Sequence, residues 1–557
     1  MSHTAHADDG AAGRFDRPLD GYTDFRTLKR GRPQQVGLDP APLERGWAEV
    51  VSHTTPVGDA PLPLYPSAVL SCAHQGRVVL ERWTGYSHKY ADGDTELPRN
   101  QWIEAGANTI YDMASVSKLF TSIVVMQQVE QDLIDLDTPV AHWLPAFAAN
   151  GKETVTPRML LTHTSGFTSW IPLYSRYPDV ESRIAAVLDH ELANPPGSTY
   201  LYSDLNLITL GVLCEHVSGR TLDQLVADGI TSPLRMRDTG YNPPATKRNR
   251  VAATEFQATP DRGMVWGEVH DENAWSLGGV AGHAGIFSTA GDMAILAQTM
   301  LNGGAYAKER ILSEDSVTAM ISNENTEFPG DDHGLGFELN QRWYMAGLSS
   351  SRTAGHTGYT GTSLVIDFAS ASFVILLTNR VHPSRSSGSV NPARRSAANA
   401  MADALGITPA QGESMWLADE TPDSTSTLDL TAPTETRGIS FSLFLDVESS
   451  DPFTLEVSTD AGETWTFLPY TLDGESITGP IGRSGTRAWQ QALAAVPEPV
   501  TDVGVLLRLG QNRDTLYDGR GLLVDAIRLL DGAGEVVADV EADPSLATVA
   551  GWRQVRR

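Results

Sequence analysis

The apolar pattern of this 557-residue chain changes character once, near residue 408, and that change limits the fold more than any other feature. Before it, strand-like and helix-like stretches are mixed. Ala68-Val69-Leu70 and Val78-Val79-Leu80 flank the turn His74-Gln75-Gly76, which predicts a hairpin over 67–85. From 115 to about 132, Leu119, Ile123, Val124 and Met126 recur at helical spacing, which predicts a buried helix. Helical segments and Gly/Pro-rich loops follow. Residues 356–368 and 373–379 read as two sheet strands, and the Ala-rich stretch 394–405 reads as a closing helix. After the change, short segments alternate with period two (439–445, 453–457, 464–468, 504–509 and 522–529), separated by turns such as Asp460-Ala461-Gly462 and Asp473-Gly474. That is the pattern of a small all-β sandwich or jelly roll. The stretch 418–437 is dominated by Thr, Ser, Asp, Glu and Pro and reads as extended chain with little to bury. The expected organisation is an N-terminal extension (1–60), a mixed α and β body (61–408), a linker (409–437) and a β-sandwich (438–557). A chain several times the ~150 residues of a typical domain has room for these units.

Charge narrows the partners. Lys plus Arg total 41 against 69 Asp plus Glu, a formal net charge of -28. Such a surface repels phosphate backbones and anionic headgroups, so nucleic acid is not an expected partner. No apolar run approaches the ~20 residues of a membrane span. The polar start, with Asp8 and Asp9, lacks a signal-peptide core, so a cytoplasmic location is expected; a secreted chain already processed would look the same. Cys72 and Cys214 lie in apolar stretches and read as buried free thiols. The sequence carries no signal for an oligomeric state.

Three segments can do chemistry. Ser115-Val116-Ser117-Lys118 places a hydroxyl and an ammonium one turn apart on the predicted helix. Burial lowers a lysine pKa, and a neutral amine beside a hydroxyl activates it as a nucleophile. An N-cap serine and a solvated lysine would give the same letters. Against that, Lys118 lies among apolar neighbours, and the chain has only six lysines. Tyr202-Ser203-Asp204 supplies a tyrosine that a nearby lysine would help to ionise, so that it can serve as a general base. His356-Thr357-Gly358-Tyr359 lies in a Gly-rich stretch beside a strand, where small residues let a substrate backbone approach and His356 can contact it.

In this order the three segments resemble the motifs of the serine β-lactamase and penicillin-binding-protein superfamily, in its class C-like branch of esterases, D-peptidases and transacylases. Leu160-Leu161-Thr162-His163-Thr164-Ser165-Gly166-Phe167 and the Gly-rich stretch 277–285 are also similar, and the likeness spans about 60–406. The resemblance implies a β-lactamase/transpeptidase-like α/β (α+β) fold, with an antiparallel sheet flanked by helices plus an all-helical subdomain. It implies Ser115 as acyl-accepting nucleophile, Lys118 as its proton partner and Tyr202 as base and later acid. It implies an oxyanion hole from the backbone N–H groups of Ser115 and Tyr359, His356 positioning substrate or tuning Tyr202, and Asp204, Thr357 and Gly358 in substrate binding. Two departures matter. The second motif commonly ends in Asn and here ends in Asp204, and the third begins with His356 where many β-lactamases have Lys.

The expected activity is therefore that of a serine hydrolase or acyltransferase, needing no cofactor and no metal. Its substrate would be a small-molecule or peptide-like ester or amide. Esterase or transacylase is the leading expectation, with D-aminopeptidase, D-Ala-D-Ala carboxypeptidase or β-lactamase as alternatives. A reading of another class is an inactive body beside a binding sandwich that uses Trp465 and Tyr470 as an aromatic platform. Val269-His270-Asp271-Glu272-Asn273 with His283 contains metal-ligand types without a close helical pair, and it reads as a loop bordering the acyl pocket. Asp460, Asp518 and Asp525 are candidate calcium ligands that more simply finish turns.

Overall fold

The computed structural model describes residues 14, 16–56, 58, 60–497, 505–514 and 519–556. The chain divides into two compact units. The first comprises Leu19–Met345 and Ser351–Ala404. Its frame is an eight-stranded sheet. The main path uses β1 (Lys29–Arg30), β2 (Ser67–His74), β3 (Arg77–His88), β4 (Glu338–Leu339), β5 (Thr353–Thr357), β6 (Ser363–Asp367) and β7 (Ser372–Thr378), in the order β1-β3-β2-β7-β6-β5-β4. Only the β1–β3 pair is parallel along this path. The central β7, Ser-Phe-Val-Ile-Leu-Leu-Thr, is buried at every position, so apolar residues run along it without alternating. The helix α1 (Pro40–Ser52) packs on β2 and β3 and buries Leu43 and Val50. Part of the expected N-terminal extension is therefore built into the body.

Two helices carry the chemistry. The helix α2 (Ser117–Glu130) is apolar on nearly every side, with Leu119, Phe120, Ile123, Val124 and Val125 fully buried. That makes it a core helix rather than an amphipathic surface one. It packs on α3 (Asp204–Ser218), whose first turn is capped by the Ser203 side chain and whose end is closed by Gly219 in the left-handed region at φ 68°. The Gly-rich loop crosses α3 closely. A Cβ at Gly282 would lie 1.8 Å from the Leu207 carbonyl oxygen, so only glycine fits there. A later helix, α4 (Ala290–Leu301), packs on β2, β6 and β7, and α5 (Asn391–Leu405) is the closing helix. Between α2 and α4 the strands are only two or three residues long. Cys72 and Cys214 are both buried and free. No helix among the described residues is long and apolar enough to cross a membrane.

The second unit comprises Arg14–Pro18, Ala346–Ser350 and Leu405–Arg557, and among its described residues the long stretch after Leu405 is all-β apart from the short helical turn Pro544–Leu546, with a second such turn at Ala346–Leu348. An eight-stranded and a five-stranded antiparallel sheet share one core, to which Leu428 and Leu509 contribute from one sheet and Phe441 and Val524 from the other. The expected linker is a correction: Met415–Ala418 and Thr425–Ala432 are strands, one in each sheet. Along Thr-Ser-Thr-Leu-Asp-Leu-Thr-Ala the polar residues other than Ser426 are the outward half of a period-two strand, and Leu428 and Leu430 are fully buried. Leu430→Ala is expected to lower the stability of this unit by about 2–5 kcal/mol in denaturant titration; a true linker would show no change.

The aromatic platform is corrected as well. Tyr470 is buried in the sandwich core, and the Trp465 ring is covered by the Arg508 guanidinium 3.8 Å from its centroid. Asp460 accepts bonds from Ser458 and Thr464 and finishes a turn, whereas Asp525 is buried within the strand Gly521–Leu530 and accepts the Gln411 and Ala526 N–H groups. Asp518 lies outside the described residues.

Candidate active site

The nucleophile segment is held by its backbone. Tyr111–Asp112 is a short strand, and the next turn places Ala114 at φ 47°, a left-handed conformation that costs a β-carbon residue roughly 1–3 kcal/mol. The buried Asp112 carboxylate offsets this by accepting the Ala114 N–H at 2.8 Å and the His270 N–H at 2.6 Å. The chain then makes a 3-10 turn over Ala114–Val116 before α2 begins, so Ser115 sits just ahead of the helix with its side chain partly exposed. One turn on, Lys118 is 1% exposed. Its Nζ donates to Ser115 Oγ at 3.0 Å and to the His283 carbonyl at 3.1 Å, and lies 2.8 Å from Asp204 Oδ1. Burial alone would drive this amine toward neutrality. The Asp204 carboxylate and Tyr202 reverse that and hold the ammonium above the ordinary lysine range. The expectation of a lowered lysine pKa is thus overturned by a charge two residues past the tyrosine.

Tyr202 and Asp204 reach the nucleophile from the start of α3. The Ser203 hydroxyl donates to the Thr168 carbonyl and accepts the Leu205 N–H, while the Ser203 N–H donates to His163 Nδ1 at 3.1 Å. The Asn206 amide also donates to His163 Nδ1, at 3.0 Å, so that nitrogen carries no proton. The His163 ring lies 4.6 Å from the Tyr202 ring, and burial holds its pKa well below the usual histidine value. Tyr202 interacts with both Lys118 and Ser115 through its hydroxyl. Its pKa is nevertheless pushed up to about 12, because burial outweighs the neighbouring ammonium. The tyrosine is a phenol at neutral pH, not the easily formed phenolate that proximity to a lysine suggested.

The third segment is a turn, not the first part of one long strand. β5 ends at Thr357 and β6 begins at Ser363, and within the turn the Gly358 N–H donates to the Thr362 carbonyl. Thr360 and Thr362 hydroxyls donate to the carbonyls of Asp112 and Met113, which ties the turn to the nucleophile segment. A Cβ at Gly358 would fall 2.4 Å from the Met113 carbonyl oxygen, so glycine permits that approach. Neither the Ser115 nor the Tyr359 backbone N–H has a partner among the described residues. The Tyr359 ring is half exposed and flanked by Arg380 and Arg385. His356 is buried and donates from Nδ1 to the Thr357 carbonyl at 2.8 Å, so Nε2 is a lone pair with no partner among the described residues. Burial, with Lys118, lowers its pKa to about 3, which makes His356 a neutral acceptor beside Tyr202. β4 covers β5 only at Ala354 and Gly355, so His356 and Thr357 lie past its end.

Two cavities open beside Ser115, and Tyr202 and Tyr359 line both. One, of about 560 Å³, is bounded by Glu338, His356, Thr357, Gly358 and Arg394. The other, of about 420 Å³, is bounded by Trp170, Asp204, Asp271 and His283.

Residues 63–399 match the family described as Beta-lactamase. This chain belongs to the beta-lactamase family. A relative described as "Putative D-alanyl-D-alanine carboxypeptidase" from Salmonella typhimurium is 32% identical over 408 residues, covering 66% of this chain and 90% of the relative. A penicillin-binding-protein homologue from Caulobacter crescentus shares the fold at a TM-score of 0.52 and 19% identity, over 66% of this chain and 99% of that one. EstCE1, described as a hydrolase with promiscuous acyltransferase activity, shares it at 0.50 and 22%, over 64% and 98%. The chain is a serine hydrolase of the β-lactamase fold.

Within this beta-lactamase-family site, Ser115, Lys118, Tyr202, Asp204 and His356 come together, with Thr357, Gly358 and Tyr359 on the facing turn. Asp204, expected to touch substrate, pairs with Lys118 and also borders the smaller cavity. Donor atoms of Asp204, Asp271 and His283 lie within 4.8 Å of one another, the residues that could hold a metal, but the Lys118 ammonium already supplies positive charge at Asp204. His283 Nε2 is 2.8 Å from Asp271 Oδ1, and that contact helps hold the Asp271 carboxyl well below the usual range against burial. Sequence reasoning missed the part of Glu338 and Arg394. Burial raises the Glu338 carboxyl to about 7, and Arg394, itself buried, donates to the Gly358 and Thr362 carbonyls and braces the turn. His163 could have been found, since its Leu-Thr-His-Thr segment was already conspicuous.

Proposed function

We propose that this chain cleaves or transfers the acyl group of an ester or amide through an acyl-enzyme on Ser115. The observation that carries the reading is the Lys118 ammonium 3.0 Å from Ser115 Oγ in a buried site that Tyr202 shares. Ser115 Oγ attacks the carbonyl carbon, the Ser115 proton passes to Tyr202 Oη, and Tyr202 passes its own proton to the leaving group. A phenol with a pKa near 12 suits that shuttle better than it suits a standing base. The Ser115 and Tyr359 N–H groups receive the oxyanion. The two cavities take the acyl group and the leaving group or acceptor. That both cavities reach Ser115 supports a small or peptidic ester or amide, with esterase or transacylase as the first reading. The Salmonella relatives favour a second, D-Ala-D-Ala carboxypeptidase.

A panel of p-nitrophenyl esters, a peptide ending in D-Ala-D-Ala and a chromogenic cephalosporin, each with and without an amine acceptor, separates them. Ester turnover diverted to amide product by the amine supports the first reading. Release of D-Ala without ester turnover supports the second, and no turnover of any member overturns both.

A further inference from the structure

We propose that Asp204 is a positioning residue: the counter-ion that holds Lys118 as a fully committed ammonium, so that Lys118 only donates and Tyr202 alone carries the nucleophile's proton. This rests on the acyl-enzyme reading above. Four oxygens surround Lys118 Nζ: Ser115 Oγ at 3.0 Å, the His283 carbonyl at 3.1 Å, Asp204 Oδ1 at 2.8 Å and the Tyr202 hydroxyl. Three of them are hydroxyl or carbonyl oxygens, and Asp204 alone brings a charge to an amine that is 1% exposed. A neutral amine would leave that carboxylate without a counter-charge, so the pairing selects the ammonium. The Ser115 and His283 acceptors are fixed by other demands. Ser115 follows the strained Ala114, and His283 follows Gly282, which is pressed against α3. Asp204 supplies a further acceptor and the charge. Its backbone is anchored at the start of α3, where its N–H donates to the Ser169 carbonyl.

The consequence is a division of labour. A lysine with all three protons committed cannot take the Ser115 proton. It polarises Ser115 Oγ and stabilises the negative charge that builds between Ser115 and Tyr202. With Asn at 204 the counter-charge that opposes burial at Lys118 is gone, and buried lysines titrate as low as about 5–6. The groups facing this pair from neighbouring elements are Tyr202 from the start of α3, Asp271 and His283 from the Gly-rich side, and His163, His356 and Glu338 around Tyr202 and the larger cavity. His163 and His356 are held neutral and Tyr202 titrates near 12, so none adds a step between pH 8 and 10. Glu338, near 7, is present in both proteins compared, so its contribution is common to both.

The test compares kcat/KM against pH, from 5 to 10, for wild type, Asp204→Asn and Asp204→Glu on one ester that the wild type turns over, with intact mass confirming acylation. The wild type shows no loss of rate attributable to Lys118 in this range. Asp204→Asn loses at least about tenfold as pH rises from 6 to 9, and Asp204→Glu recovers the wild-type profile. A profile for Asp204→Asn that superimposes on the wild type overturns the proposal. So does one that rises with pH, because a neutral Lys118 would then be working as the base. Absence of any acyl adduct on the wild type fails the acyl-enzyme reading instead, and the mass measurement tells the two failures apart.

Discussion

Ser115→Ala is expected to lower kcat on any ester or amide the protein turns over by at least about 10⁴-fold, because it removes the atom that forms the acyl-enzyme. Stability should change little. The substitution deletes one acceptor from Lys118 and leaves the Asp204 carboxylate and the His283 carbonyl in place, so the net loss stays near that of one hydrogen bond, about 1 kcal/mol. Loss of activity without loss of fold distinguishes a nucleophile from an N-cap serine. Steady-state kinetics with a thermal melt on the same sample checks both halves, and residual turnover within tenfold of wild type contradicts the assignment.

Lys118→Met should be the most damaging substitution to fold and function together. The side chains are similar in length, so packing is largely kept, while the ammonium that satisfies Ser115, the His283 carbonyl and Asp204 disappears. Breaking a buried ion pair by removing one partner costs about 3–5 kcal/mol. The partial exposure of Asp204 places this pair at the lower end of that range. Turnover should fall by about 10²–10⁴-fold. The ammonium is held above the ordinary lysine range, so with the Asp204 carboxylate ionised the pair's contribution to stability is complete up to about pH 10 and is lost as pH rises through the folded-state value. Denaturant titrations at pH 7 should show the full loss. The double variant Lys118→Met/Asp204→Asn should recover part of it, since the stranded carboxylate is then neutral. Additive losses would contradict the pairing.

The catalytic set was legible because its members sit at short, fixed spacings: a helix turn separates Ser115 from Lys118, and Tyr202 and His356 head their own segments. What the residues gain from one another was not. The pairing of Asp204 with Lys118 joins residues 86 positions apart, which no local spacing shows, and the opposite outcomes for Lys118 and Tyr202 depend on which of burial and charge prevails at each atom. Glu338 and Arg394 join the cavity only through tertiary contact. In the β-sandwich the alternation of apolar and polar residues was legible from 439 onward, but the preceding strand Thr425–Ala432 was taken for linker because its Thr and Asp side chains dominate the composition. Along 356–368 the opposite error arose, since a Gly-rich turn between two strands keeps the β-branched character of both.

Intact-protein mass spectrometry after treatment with a fluorophosphonate tests the central claim most directly, because Ser115 Oγ would displace fluoride and retain the phosphonyl group whatever the natural substrate. The account predicts a single adduct on the wild type, located on the peptide containing Ser115, and none on folded Ser115→Ala. No adduct on the wild type, or an equal adduct on the variant, would contradict it and leave the inactive-body reading standing.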